Sequence, residues 1–333
     1  MSILVCGGAG YIGSHTVKEL LDRGYDVLVA DSLETGHKSA VDRRAKLFVG
    51  NLMDEQFMDS VFQENKIEAV IDFAAYSLVG ESVTNPLKYF ENNVCGTLAL
   101  LKKMKQYDVK YIVFSSTAAT YGEPENIPIL ENDKTIPTNP YGESKLIIEK
   151  MLRWFDEAYG IKYCALRYFN AAGAHISGEI GEDHSPETHL IPIILQVALG
   201  KREKISIFGN DYDTQDGTCI RDYIHVTDLA DAHILALEKI KKENKSAVYN
   251  LGNGKGFSVK EVIEMTRKVT GKIIPEEIAP RRAGDPSILI ASSEKVTKEL
   301  QWNPKYDSLE KIIDTAWNWH KNHPNGYEDK KNI

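Results

Sequence analysis

Short apolar runs recur along the first half of the chain. Longer segments with apolar residues three or four positions apart separate them. Ile3-Leu4-Val5-Cys6, Val27-Leu28-Val29-Ala30, Lys46-Leu47-Phe48-Val49, Ala69-Val70-Ile71-Asp72-Phe73, Tyr111-Ile112-Val113-Phe114 and Cys164-Ala165-Leu166-Arg167-Tyr168 have the length and composition of buried strands. Ile12 to Arg23 and Tyr141 to Phe155 carry the spacing of helices. Strand alternating with helix predicts parallel strands joined by right-handed crossovers, hence an α/β fold with a doubly wound parallel sheet.

The alternation fails after about residue 175. His175 to His189 is polar and contains glycine, which predicts a loop. A helix at Ile191 to Leu199, a strand at Ile205 to Phe208, a helix at Asp228 to Lys239 and a strand at Val248 to Leu251 are expected next. The expected division is a first domain at 1–175 and a smaller mixed α/β lobe at 176–333, with the chain free to cross back. Glu328 to Ile333 reads as a frayed tail.

Composition narrows the function class. With 42% hydrophobic and 26% charged residues the 333-residue chain is globular rather than disordered. The 48 acidic residues outnumber 40 basic ones, for a net charge of -8. No basic stripe is present, so a nucleic-acid partner is not expected, and an anionic ligand must be held by a few placed cations. No apolar run approaches the roughly 18 residues of a membrane span. Met1 to Val17 lacks a basic leader and is broken by Gly7, Gly8, Gly10 and Gly13, so it does not read as a signal peptide. Cys6, Cys95, Cys164 and Cys219 form no CxxC pair, which suits reduced thiols in a cytoplasmic enzyme.

Three motifs carry chemistry. Gly7-Gly8-Ala9-Gly10-Tyr11-Ile12-Gly13 follows the first strand and opens the first helix. Glycines there permit a tight turn and close approach to a pyrophosphate, while the helix N-terminus presents amide donors and a positive dipole end. Asp31 ends the second strand 18 residues after Gly13, where a carboxylate binds the adenosine ribose of a dinucleotide. Together they predict a Rossmann-like domain binding NAD. In Tyr141-Gly142-Glu143-Ser144-Lys145 the phenol and the ammonium share a helix face. A phenol titrates near 10, so bringing it to about 7 needs roughly 4 kcal/mol of differential stabilisation, which the ammonium and a cationic nicotinamide would both favour. Phe114-Ser115-Ser116-Thr117 sets hydroxyls at the carboxyl end of the fifth strand, the edge that faces the ligand crevice in open parallel sheets. His175, His184 and His189 share a loop with Glu179, Glu182 and Asp183. No pair shows the compact spacing of a zinc site, and no metal is expected.

Several stretches now identify a resemblance. GGAGYIGSHT from Gly7, VGESVTNPLKYFENNVCGT from Val79, FSSTAATYG from Phe114, PYGESK from Pro140 and LRYFNAAGAH from Leu166 resemble the extended short-chain dehydrogenase/reductase family. IFGNDYDTQDGTCIRDYIHVTDLADAH from Ile207, YNLGNGKG from Tyr249 and APRRAGD from Ala279 are similar to its branch that inverts carbon 4 of UDP-sugars, and the resemblance spans nearly the whole chain. It implies Tyr141 as catalytic base, Lys145 as its partner and Thr117 as binder of the sugar 4-hydroxyl. It implies NAD contacts at Gly7, Gly10, Tyr11, Ile12, Gly13, Asp31, Asn51, Leu52, Phe73, Asn92, Ser115, Tyr141, Lys145 and Phe169. UDP-sugar contacts are implied at Thr117, Tyr141, Asn170, His189, Leu190, Phe208, Arg221, Tyr223, Arg282 and Asp285. Two arginine forks suit a diphosphate. The implied activity is reversible epimerisation of UDP-glucose and UDP-galactose through a 4-keto intermediate, with NAD taking and returning a hydride. An alternative is action on the N-acetylated UDP-sugars, and a remote one is a non-catalytic NAD-sensing regulator. Members of the family are usually homodimers, and the helices expected at Asn85 to Gln106 and Tyr141 to Phe155 are the candidate dimer faces.

The chain also departs from the family pattern. Ser77 stands where some members carry lysine, Asn51 replaces an aspartate, His189 an asparagine, and Leu289 occupies the position that gates an N-acetyl group. Ala118 and Ala119 occupy the place of the acid pair that dehydratases of this family use. Because Asp31 repels a 2′-phosphate, titration with both dinucleotides should show NAD binding tighter than NADP; the reverse order would overturn this reading.

Overall fold

The structure is a computed structural model that describes residues 1–282 and 286–329. In chain order its elements are β1 (Ser2–Cys6), α1 (Tyr11–Asp22), β2 (Asp26–Asp31), β3 (Lys46–Val49), α2 (Glu55–Gln63), β4 (Ile67–Asp72), α3 (Val79–Thr84), α4 (Pro86–Tyr89), a π-helical segment (Phe90–Cys95), α5 (Gly96–Gln106), β5 (Tyr111–Ser115), a 3-10 turn (Ala118–Tyr121), α6 (Pro140–Tyr159), β6 (Lys162–Tyr168) and β7 (Asn170–Ala172). They continue with α7 (Leu190–Ala198), β8 (Ile205–Phe208), β9 (Ile220–Arg221), β10 (Tyr223–His225), α8 (Val226–Glu243), β11 (Ala247–Leu251), β12 (Phe257–Ser258), α9 (Val259–Thr270), β13 (Glu276–Ala279), β14 (Ile288–Leu289), α10 (Glu294–Leu300) and α11 (Leu309–Asn322).

Seven parallel strands form the main sheet in the order β11-β6-β5-β4-β1-β2-β3. The chain winds outward in one direction from β1 to β3 and in the other from β4 to β11. The switch point between β1 and β4 is where such sheets open a ligand crevice beyond their carboxyl ends. Side-chain alternation along β1 assigns its two faces. Ile3 and Val5 pack with Val17 and Leu20 of α1 and Leu229 and Leu237 of α8. Leu4 and Cys6 pack with Met58 of α2, Leu100 and Met104 of α5, and Ile148 and Leu152 of α6. A third cluster joins α7, α9 and α11 around Ile194, Ile263 and Ile313, beside the short sheets β10-β7, β12-β9-β14 and β13-β8. No helix among the described residues is long and apolar enough to cross a membrane.

One expectation is made specific and one needs correction. The strand at Val248 to Leu251 is where the chain crosses back: β11 pairs in parallel with β6, from Ala247 against Cys164 to Leu251 against Tyr168, and completes the main sheet. Hydrophobic period identifies a strand but not its partner, which depends on the long crossover through α8. The helix expected at Asn85 to Gln106 is divided into α4, the π segment and α5. Extra turn width of this kind often marks functional sites, and here the segment carries Asn92 and Asn93.

A buried ion pair ties β6 to α6. Arg167 Nε donates to Glu149 Oε1 at 2.9 Å, and Arg167 Nη1 donates to the Tyr121 hydroxyl at 2.8 Å. Ser116 Oγ adds a 2.5 Å bond to the same carboxylate. Removing one partner strands the other charge in low dielectric. Arg167→Met should therefore cost about 3–5 kcal/mol in urea unfolding, and Arg167→Met with Glu149→Leu should recover most of that loss. A cost below about 1 kcal/mol for the single variant would show that the pair is not an essential tie.

Candidate active site

The glycine-rich turn lies at the switch point. Gly7 has φ +72°, and a Cβ on it would meet the Ala74 amide nitrogen at 2.8 Å. A Cβ on Gly13 would stand 2.1 Å from the Gly7 carbonyl oxygen. Gly10, the N-cap of α1, supplies no side-chain cap, and the first turn holds no acid. The leading amides of α1 are thus left to an anion, the donor set a pyrophosphate needs. Ile12 packs on the core below, and the Tyr11 hydroxyl donates to the Gly173 carbonyl at 2.6 Å.

Asp31 closes the same edge. Its oxygens accept from the Ala9 amide at 2.9 Å and the Leu33 amide at 2.8 Å. Burial raises its pKa, and the two amide bonds oppose the rise. The carboxylate thus braces the glycine turn and keeps lone pairs for a ribose. Asn51 and Asn92 line one recess of about 350 Å³ together with Tyr76 and Lys88. Leu52 is buried under that edge, and Phe73, just past β4, stacks near the His233 ring at 4.7 Å.

Helix α6 places the Tyr-Lys pair. Asn139 caps it by accepting from the Gly142 amide at 2.9 Å, and Pro140 fills the first turn. Gly142 allows close approach, since a Cβ there would lie 2.6 Å from the Ala119 carbonyl oxygen. That contact brings the 3-10 turn, with Thr117 at its N-cap, against the start of α6. Thr117 stands close enough to Tyr141 to moderate its titration, while Thr117 Oγ1 accepts from the Ala119 amide at 3.1 Å. Lys145 Nζ donates to the Ser115 carbonyl at 2.8 Å, and Ser115 Oγ meets the Tyr168 hydroxyl at 2.5 Å.

The electrostatics differ from the sequence expectation. Burial raises the Tyr141 pKa, and Thr117 only moderates it; Lys145 is not among the groups that perturb it. Burial lowers Lys145 to about 8 against the pull of Asp72 and Glu149, so its charge is present below that pH and lost above it. Asp72 itself is raised to about 6 by burial. The protein's own groups therefore favour a neutral phenol, and the cation that frees the phenolate must arrive with a ligand.

The substrate-side residues fall into two groups. Asn170 and Tyr223 are register partners across β7 and β10, and both line a small recess with His189 and Leu190. Phe208 ends β8 and stacks under the Arg282 guanidinium, 4.1 Å from cation to ring centre. Arg221, on β9, donates to the Ile220 and Pro286 carbonyls at 2.8 and 2.7 Å. Phe169 packs with Tyr121, Ile129 and Leu289. Asp285 lies outside the described residues.

Sequence reasoning missed several supports. Asp72 stands beside Lys145 and accepts from Thr97 Oγ1 at 3.2 Å. Buried Asn93 donates to Ser144 Oγ at 3.1 Å and to the Tyr76 carbonyl at 3.1 Å, tying the π segment to α6. Ser144 lies inside a quoted motif and was the available signal. The structure also gathers Glu182, His184, Glu187 and His189, of which Glu187 was left out of the loop reading.

A dinucleotide crevice at the switch point, with a Tyr-Lys helix and a hydroxyl-bearing strand end facing it, defines a nucleotide-dependent enzyme of the doubly wound α/β class. A model of the NAD dependent epimerase/dehydratase family matches residues 3–252. The chain belongs to that family and uses NAD as its cofactor. It is 64% identical over 327 residues to a UDP-glucose 4-epimerase of Halalkalibacterium halodurans, covering 98% of each chain. A crystal structure of a UDP-glucose 4-epimerase superimposes with a TM-score of 0.97 at 57% identity, covering 99% of this chain and 100% of that one. The Bifidobacterium longum UDP-glucose 4-epimerase, solved with NAD+ and UDP, gives 0.93 at 43% identity, covering 98% and 100%.

Gly13→Ala should weaken NAD binding about 10–100-fold by fluorescence titration, because the added methyl forces α1 off the turn. Gly80→Ala, whose Cβ would meet nothing within 4 Å, should leave binding unchanged. Equal affinities in the two variants would remove the close-approach argument.

Proposed function

We propose that this protein interconverts UDP-glucose and UDP-galactose by inverting sugar carbon 4 through a 4-keto intermediate. The observation that carries the reading is the convergence of half-buried Tyr141 and buried Lys145 on α6 with Thr117 past the carboxyl end of β5, where Lys145 is fixed by the Ser115 carbonyl. It occurs in a chain similar over its full length to UDP-glucose 4-epimerases.

Bound NAD supplies the oxidant that accepts the carbon-4 hydride and returns it. Gly7, Gly10 and Gly13 with the α1 amides hold its pyrophosphate, and Asp31 takes the ribose. Tyr141, as phenolate, accepts the proton of the sugar 4-hydroxyl, while Thr117 orients that oxygen. Lys145, fixed by the Ser115 carbonyl, holds a positive charge behind the site. When the keto sugar has turned its other face, Tyr141 returns the proton to the reduced oxygen and carbon 4 is inverted. The turn requires a firmly held nucleotide and a loosely held sugar. Arg221, Arg282 and Phe208 meet the first need as diphosphate and uracil contacts, with Asn170, Leu190 and Tyr223 beside them.

Exposed Val83, Leu87 and Trp154 on α3, α4 and α6 support a homodimer. Cys6, Cys95 and Cys164, none of them in a disulfide, support a cytoplasmic setting.

The test is incubation of purified protein with UDP-galactose, and separately with UDP-N-acetylgalactosamine, without added cofactor, followed by product resolution. UDP-glucose should form; its absence in the presence of supplied NAD would refute the assignment. Tyr141→Phe should lower kcat about 10²–10⁴-fold with NAD and UDP binding intact. Near-normal turnover would remove Tyr141 from the base role.

A further inference from the structure

The loop between β7 and α7 carries a cluster of which only His189 borders the substrate recess. Within eight residues, Glu182, His184, Glu187 and His189 each offer one ligand-type atom, and those atoms lie within 4.8 Å of one another. His189 Nδ1 is 2.7 Å from Glu182 Oε1 and 3.4 Å from Glu187 Oε1. His184 Nδ1 is 3.3 Å from Glu182 Oε1 and 3.7 Å from Glu187 Oε2.

These are ion-pair distances, and Glu187 Oε1 also accepts from the Thr188 and His189 amides at 2.8 Å. Glu182 Oε1, His184 Nδ1 and His189 Nδ1 are all buried and lack a hydrogen-bond partner among the described residues, and the Glu182 residue is only 3% exposed. A buried carboxylate oxygen left this way is costly. Three of these separations lie near the roughly 3.3–3.4 Å that a tetrahedral ion with bonds of about 2.0–2.1 Å sets between its ligands, and the 2.7 Å one would lengthen on binding.

We propose that Glu182, His184, Glu187 and His189 form a closed four-ligand site for a divalent transition metal, zinc foremost. Two imidazoles and two carboxylates suit that ion, and four protein ligands leave no open position for chemistry, so the role is structural. Charge balances, because two carboxylates and two neutral imidazoles neutralise a dication.

The position gives the ion its consequence. His189 caps α7 immediately before Leu190 in the substrate recess. The His184 ring stands edge-on to Tyr11 of α1, with centroids 6.2 Å apart. An ion here would fasten the loop between the first turn of the cofactor helix and the start of the substrate helix.

The test uses untagged, full-length protein stripped with a chelator and titrated with zinc sulfate by calorimetry, with metal content read by mass spectrometry. One zinc per chain should bind, and the Tm should rise. Cobalt chloride should give the intense visible d–d bands of tetrahedral cobalt. His184→Asn and Glu187→Gln should each weaken zinc about 100-fold or more, with NAD content and circular dichroism retained. No zinc uptake, an octahedral cobalt spectrum, or unchanged affinity in both variants would overturn the site. Should either variant fail to fold, the wild-type stoichiometry and cobalt spectrum decide the question alone.

Discussion

No side chain fits between the first turn of α1 and the turn beneath it. The position of Gly13 brings the helix so close to the Gly7 carbonyl that any Cβ would overlap it. Everything at the cofactor end follows from that approach. The uncapped amides of α1 reach the crevice at the switch point because the helix sits low. Asp31 can bond the Ala9 amide because the turn is tight enough to bring it within 2.9 Å. Tyr11, in the first turn, reaches across to Gly173 and links the cofactor helix to the segment that leads into the substrate side.

Much of this was legible in the chain because it rests on local spacing. β1 to β6 lie where the apolar runs stood, since a largely buried parallel strand must be apolar on both faces, and only β3, at the sheet edge, is not buried. Tyr141 and Lys145 share a face because helix period demands it. What could not be read is pairing across distance. β11 joins β6 although long crossovers separate them, and nothing in Val248 to Leu251 says which sheet will take it. Arg167 and Glu149 meet because a strand and a helix on the same layer face each other, which no motif encodes. The loop histidines and glutamates were visible as letters. Their convergence depends on the loop's path, and familiar zinc spacings were a poor guide to it.

The net charge of -8 sits beside a protein that must hold anions. The two facts are compatible because attraction at contact is set by local groups rather than by the total. The α1 amides serve one diphosphate. Arg221, its fork drawn by the Ile220 and Pro286 carbonyls, and Arg282, stacked on Phe208, stand on the other side. The acidic total then weakens long-range attraction only.

Tyr141 shows why the cofactor's charge belongs to the mechanism rather than only to its binding. Burial holds the phenol neutral in the protein alone, and Lys145, lowered to about 8, keeps most of its charge at neutral pH. The charge that changes during the reaction is that of the nicotinamide, cationic when oxidised and neutral when reduced. An oxidised ring beside Tyr141 favours the phenolate, and by reciprocity the phenolate favours the oxidised ring by the same factor. In the proposed reaction that cation would be lost as carbon 4 is oxidised, and Tyr141 would take up a proton in the same step. The burial that opposed the phenolate then stabilises the phenol. Each half of the reaction thus ends with the buried site carrying no unbalanced charge, and the return half runs over the same balance in reverse. A phenol exposed to water would titrate nearer its ordinary value and respond less to the ring, so the apolar setting of Tyr141 is what couples its proton to the redox state beside it.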